Sequence, residues 1–85
     1  MTTILIVDDS PTDIHVLKKI LEKGGYSVIT ATSGEDGIDE AKRSQPDLVL
    51  MDVVMPGLNG FQATRELTMD PETAGIPVII VTRKD

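Results

Sequence analysis

Cysteine and tryptophan are missing from this sequence of 85 residues, and Tyr26, Phe61 and His15 are each the only residue of their type. Without cysteine there is no disulfide, no thiolate zinc or iron–sulfur centre and no thiol nucleophile. A single histidine excludes a His-rich metal site and any Cys–His or His–His catalytic pair. Positive charge is scarce: 8 Lys and Arg stand against 14 Asp and Glu, a formal net charge of −6. Basic residues never run longer than a pair such as Lys18-Lys19. The cationic face that binds a phosphate backbone is therefore lacking, and nucleic acid is excluded as a partner. Long apolar runs are also lacking. Ile4–Val7 and Val78–Val81 are far too short to cross a bilayer, and Met1-Thr2-Thr3 has neither the charged start nor the apolar stretch of a signal peptide. A cytoplasmic protein with no membrane partner is expected.

What is present points to one small folded domain. Hydrophobic residues make up 40% of the chain, too many for a disordered acidic tail. A chain of this length buries roughly 60–65% of its unfolded surface, so the core is thin. No internal repeat or low-complexity tract interrupts it. Ile4-Leu5-Ile6-Val7, Leu48-Val49-Leu50-Met51 and Val78-Ile79-Ile80-Val81 are continuous apolar runs. Runs without polar alternation suit strands covered on both faces, as in parallel sheets. Tyr26-Ser27-Val28-Ile29-Thr30 mixes polar and apolar residues and reads as an edge strand.

Helix signals lie between the strands. Ser10-Pro11-Thr12-Asp13 offers an N-cap serine, a proline for the first helical position and an acid in the first turn. Ile14, Leu17, Ile20 and Leu21 form an apolar stripe, and Gly24-Gly25 follows where a left-handed residue is wanted. Ser33-Gly34-Glu35-Asp36 opens a second helix carrying Ile38 and Ala41, weakened by Gly34 and Gly37. Asn59-Gly60-Phe61-Gln62 opens a third, with Phe61, Thr64 and Leu67 expected on one side and Asp70-Pro71 ending it. The order β-α-β-α-β-α-β predicts an α/β fold with a parallel sheet and right-handed crossovers. The sequence ends at Asp85, soon after a strand, and is read as a fold cut short at its C-terminus.

Asp8 and Asp9 follow the first strand, Asp52 the third and Thr82 the fourth. Parallel strands deliver their C-termini to one sheet edge, where open α/β folds bind ligands. If the first and third strands are neighbours, Asp8, Asp9 and Asp52 converge. Crowded carboxylates repel one another, and a hard divalent cation relieves that repulsion. Mg²⁺ suits an all-oxygen site with one or two carboxylates and open positions for water and phosphate. One carboxylate can then act as a nucleophile toward a phosphoryl group, with the Thr82 hydroxyl donating to a phosphoryl oxygen. Against this stands the plainer reading that aspartates after strands start turns or cap helices. His15 and Lys18-Lys19 read as solvated helix residues, and Met51, Met55 and Met69 as core or loop packing.

Residues 4–10 (Ile-Leu-Ile-Val-Asp-Asp-Ser), 50–60 (Leu-Met-Asp-Val-Val-Met-Pro-Gly-Leu-Asn-Gly) and 76–82 (Ile-Pro-Val-Ile-Ile-Val-Thr) together resemble the receiver domain of two-component response regulators. The likeness spans residues 1–85, and residues 8–12 and 59–65 look most like single-domain receivers of the twitching-motility kind. It implies a flavodoxin-like sheet in the order 2-1-3-4, with the family's fifth strand and last two helices missing after the fourth strand. It implies Asp52 as phosphoacceptor for a histidine kinase, and Mg²⁺ held by Asp9, Asp52 and the Val54 carbonyl, with Asp8 acting through water. Thr82 would bond the phosphoryl group. The family's phosphate-site lysine comes from the fifth strand, and Lys84 is not its equivalent. The protein would be a cytoplasmic signalling phosphoprotein in a chemotaxis or type IV pilus-like pathway, catalysing only its own phosphoryl transfer and hydrolysis. Its output would come through protein contact. The uncovered fourth strand predicts pairing with a second copy. The alternatives are a receiver-like interaction module that is not phosphorylated and an aspartyl phosphatase of the haloacid dehalogenase type. The phosphatase pattern wants an acid two residues after the nucleophile, where this chain has Ser10 or Pro11. A dinucleotide site fails for want of a Gly-rich turn.

Overall fold

The computed structural model describes residues 1–81. Seven elements alternate: β1 (Thr3–Val7), α1 (Pro11–Lys23), β2 (Ser27–Ala31), α2 (Gly34–Ser44), β3 (Leu48–Asp52), α3 (Gly60–Met69) and β4 (Val78–Val81). All strand pairs are parallel, and the sheet order is β2-β1-β3-β4. The expected order is therefore observed, with β2 at one edge.

Local chemistry explains where the helices begin. Each N-cap residue has extended backbone and a side-chain oxygen that accepts from the third helical N–H: Ser10 from Asp13, Ser33 from Asp36 and Asn59 from Gln62. At α3 the Gln62 side chain also accepts from the Asn59 N–H, which completes a capping box. After α1, Gly25 takes φ +92°. After α2 the left-handed position falls to Gln45 at φ 48°, whose side-chain amide donates to the carbonyls of Ala41, Lys42 and Glu72.

The core lies on one face of the sheet. Leu5, Val7, Val49 and Met51 pack there with Ile38 and Ala41 of α2 and Ala63 and Leu67 of α3. Ile4 and Ile6 alternate to the other face, where α1 lies. Two sequence expectations are corrected. The buried face of α3 is Gly60, Ala63 and Leu67, and Phe61 is 59% exposed. Leu67 is buried as expected, but toward its N-terminus the helix approaches the sheet closely enough that only Gly60 and Ala63 fit inward, and the ring of Phe61 is turned one step around. The α1 stripe also buries less than its pattern predicts: no α1 residue is fully buried, and Ile20 is exposed. Met51 and Met55 belong to the core, whereas Met69 is exposed at the end of α3. His15, Lys18 and Lys19 are exposed, as expected of a solvated face.

Candidate functional site

The β1–β3 register runs from Ile4 opposite Leu48 to Val7 opposite Met51. One residue further, both strands have reached the same sheet edge. Asp8 and Asp9 leave β1 there, and Asp52 is the last residue of β3. One carboxylate oxygen from each of Asp8, Asp9 and Asp52 lies within 4.8 Å of the other two. The convergence expected from the sequence is thus present in three dimensions. Asp8 and Asp52 are buried, at 6% and 2% exposure, and Asp9 is the most open of the three.

The chain around these carboxylates is tied down. The Asp8 N–H donates to the Ala31 carbonyl at 3.1 Å, extending the β1–β2 pairing by one residue. The Asp8 carboxylate accepts from the Ser10 N–H at 2.8 Å, and Ser10 in turn caps α1. Asp8 therefore starts a turn, as the plainer reading of the sequence has it, and at the same time belongs to the three-carboxylate cluster. Val54 stands two residues past Asp52 in the β3–α3 loop and is 66% exposed. That loop turns at Gly57, φ +73°, and closes where the Gly60 N–H donates to the Val53 carbonyl at 3.2 Å. Thr82 lies outside the described residues.

The donor set is all oxygen, from three carboxylates with two of them buried. Such a set fits a hard cation and no soft one. A buried carboxylate cluster of this kind is costly to hold without a compensating positive charge. One close contact carries no sequence signal. A β-carbon built at Gly60 would stand 2.1 Å from the main-chain oxygen of Asp52. In the sequence Gly60 reads only as part of a helix start, because the contact joins two segments whose nearness depends on the fold.

A parallel sheet in the order 2-1-3-4 with acidic residues at the ends of β1 and β3 defines a flavodoxin-like receiver domain. The chain belongs to the response regulator receiver domain family, whose sequence profile matches residues 4–85. It is 62% identical over 85 residues to protein PilH of Pseudomonas aeruginosa, covering 100% of this chain and 70% of that protein. The N-terminal domain of a response regulator receiver protein from Methanoculleus marisnigri JR1 has a TM-score of 0.96 at 43% identity, over 99% of this chain and 68% of that one. The receiver domain of sensor histidine kinase PA1611 from Pseudomonas aeruginosa PAO1 carries a magnesium ion coordinated in its active-site cleft. Its TM-score is 0.88 at 33% identity, covering 93% of this chain and 65% of that chain.

Proposed function

We propose that this chain is a phosphoacceptor, taking a phosphoryl group on Asp52 from the phosphohistidine of a histidine kinase. The observation that carries the reading is the convergence of Asp8, Asp9 and Asp52 within 4.8 Å at the C-terminal edge of the sheet. Asp9, Asp52 and the Val54 carbonyl would hold Mg²⁺, with Asp8 acting through water. Bound there, the cation supplies neutralisation of the phosphate oxygens, which would otherwise repel the carboxylates. An Asp52 carboxylate oxygen attacks phosphorus, the phosphorus–nitrogen bond to the donor imidazole breaks, and that nitrogen takes up a proton. Asp8 holds its place through the Ser10 N–H, and burial of Asp52 keeps bulk water from the acyl phosphate. Thr82 would donate to a phosphoryl oxygen.

The new charge then biases a two-state equilibrium that a partner protein reads. The likeness to PilH supports a place in a twitching-motility or chemotaxis-like pathway in the cytoplasm, with turnover limited to the protein's own phosphoryl group. No helix among the described residues is long and apolar enough to cross a membrane. In residues 1–85 studied alone, β4 forms a sheet edge with Ile79 half exposed, and a second copy would pair there.

The test is intact mass after incubation with Mg²⁺ and acetyl phosphate, beside Asp52→Asn. A single phosphoryl gain that is absent from the variant is expected. No gain in a folded chain overturns the reading and leaves an interaction module indifferent to Asp52. Light scattering on the same samples reads the pairing, and a monomer at every concentration removes that part of the proposal.

A further inference from the structure

We propose that Gly60 is a positioning residue for Asp52: the first turn of α3 is a wall against which the phosphoacceptor's own peptide is set. The inference rests on the reading of Asp52 as a phosphoacceptor and Mg²⁺ ligand, and it concerns what holds that carboxylate in place.

Gly60 is not needed for its backbone angles. Among the described glycines only Gly25 and Gly57 have positive φ, so the conformation at residue 60 is open to any L-amino acid. Space is what excludes a side chain. A β-carbon there would lie 2.1 Å from the Asp52 oxygen, 2.8 Å from the Asp52 carbonyl carbon and 2.9 Å from the Val53 α-carbon. All three are main-chain atoms, so no rotamer change relieves the clash. The neighbouring Val53 carbonyl is held by the Gly60 N–H at 3.2 Å. The turn itself is fixed from outside by the Asn59–Gln62 capping box and by the Thr64 hydroxyl, which donates to the Gly60 carbonyl at 2.7 Å. The α3 N-terminus therefore grips two consecutive peptides: the one that carries Asp52 and the one that leads to Val54.

A methyl group at residue 60 must push the Asp52–Val53 peptide away by about 1 Å to reach ordinary contact, and a displacement of that size at a reacting group is enough to cost a large part of its function. The Asp52 carboxylate moves with its peptide and leaves its place beside Asp8 and Asp9. Groups that orient metal ligands typically cost about 10–100-fold in affinity when altered.

The test is a Mg²⁺ titration of the whole chain followed by amide chemical shifts, comparing wild type, Gly60→Ala and Thr73→Val. Thr73 is buried and donates to the Leu67 carbonyl at 2.6 Å, at the far end of α3. Its variant destabilises the same helix without touching the site. Gly60→Ala is expected to bind Mg²⁺ at least about ten-fold more weakly, with its shift changes centred on Asp52 and Val53. Thr73→Val is expected to lower the thermal midpoint and keep wild-type affinity. Equal affinity in Gly60→Ala and wild type overturns the proposal, as does an equal loss in Thr73→Val. If Gly60→Ala does not fold, Asn59→Ala decides, because it loosens the capped turn without adding an atom. It should weaken Mg²⁺ binding several-fold, and unchanged affinity overturns the proposal. A wild-type chain that shows no Mg²⁺ response fails at the earlier step, in the reading of the site itself.

Discussion

On one face of the sheet Leu5, Val7, Val49 and Met51 lie beneath α2 and α3 with no exposed surface. On the other, burial runs down along one row from Ile6, 1% exposed, through its partner Leu50 to Ile79, 51% exposed. The helices differ in the opposite sense. On the open face, α1 has a serine cap, a proline at its first position and no interior glycine, yet buries no residue completely. On the closed face, α2 contains Gly34 and Gly37 and buries both, together with Ile38 and Ala41. Good local helix chemistry decides that a helix forms, whereas close approach to the sheet decides what it buries. Glycine weakens the first and permits the second.

Truncations in the two helix layers sharpen that contrast most. Leu67→Ala should cost about 2–5 kcal/mol, a large part of the roughly 5–15 kcal/mol that holds a small domain together. Ile20→Ala, at a residue 61% exposed, should cost less than about 1 kcal/mol. Urea denaturation of both variants measures the difference, and equal losses would abolish the distinction between the faces. Next in size is Gly37→Ala. Alanine favours a helix by about 1 kcal/mol over glycine, but the added carbon would stand 2.7 Å from Val7 Cγ2. Overpacking of about 1–3 kcal/mol outweighs the propensity gain, so the variant should be less stable. A higher urea midpoint would show that Val7 can yield and that α2 does not need the glycine.

The smallest effect belongs to the surface clasp between α2 and the segment after α3. Asp70 lies 3.1 Å from Lys42. The Glu72 N–H first, and the Lys42 side chain second, hold the Asp70 carboxyl below its ordinary range, and Asp70 raises Lys42. A lowered carboxyl contributes stability that is present at neutral pH and lost as pH falls through its folded-state value. The raised lysine's share is lost as pH rises through its own folded-state value. Asp70→Asn should therefore lower the thermal midpoint slightly at pH 7 and match wild type in strong acid. A difference that persists there would place the effect outside the charge. The pair is exposed and solvent-screened, which keeps the effect small.

The strands were legible because parallel crossover strands are built from uninterrupted apolar runs, and the runs at 4–7, 48–51 and 78–81 are nearly the observed strands, even though the α1 face is open at β4. The second strand is shifted by one residue, with Tyr26 outside it and Ala31 within. The meeting of Asp8, Asp9 and Asp52 followed from topology alone, since parallel strands end on one edge. The orientation of α3 was not legible. Phe61 is its largest apolar side chain and draws the inferred stripe toward itself, whereas the face that meets the sheet is Gly60, Ala63 and Leu67, the first two small where the chains come close and Leu67 a full-sized core residue. For the same reason Gly60 could be read only as a helix opener. A clash with a main-chain atom at residue 52 leaves no trace in hydropathy or spacing.

The strand register also governs how the chain can fold. Thr3 pairs with Ser27, and Ile4 pairs with Leu48. No two strands adjacent in the sheet are joined by a hairpin, so no local turn can nucleate any part of it. Each strand pairing joins segments separated by a whole crossover. β1 stands between β2 and β3 and is complete only when both crossovers have closed. Such non-local pairings make a slower folder than a helical bundle of equal length. The Asp8–Asp9–Asp52 cluster spans β1 and β3, so it comes into being only when that crossover has closed. A chain that has formed its helices and only its β1–β2 pair still holds those three carboxylates apart.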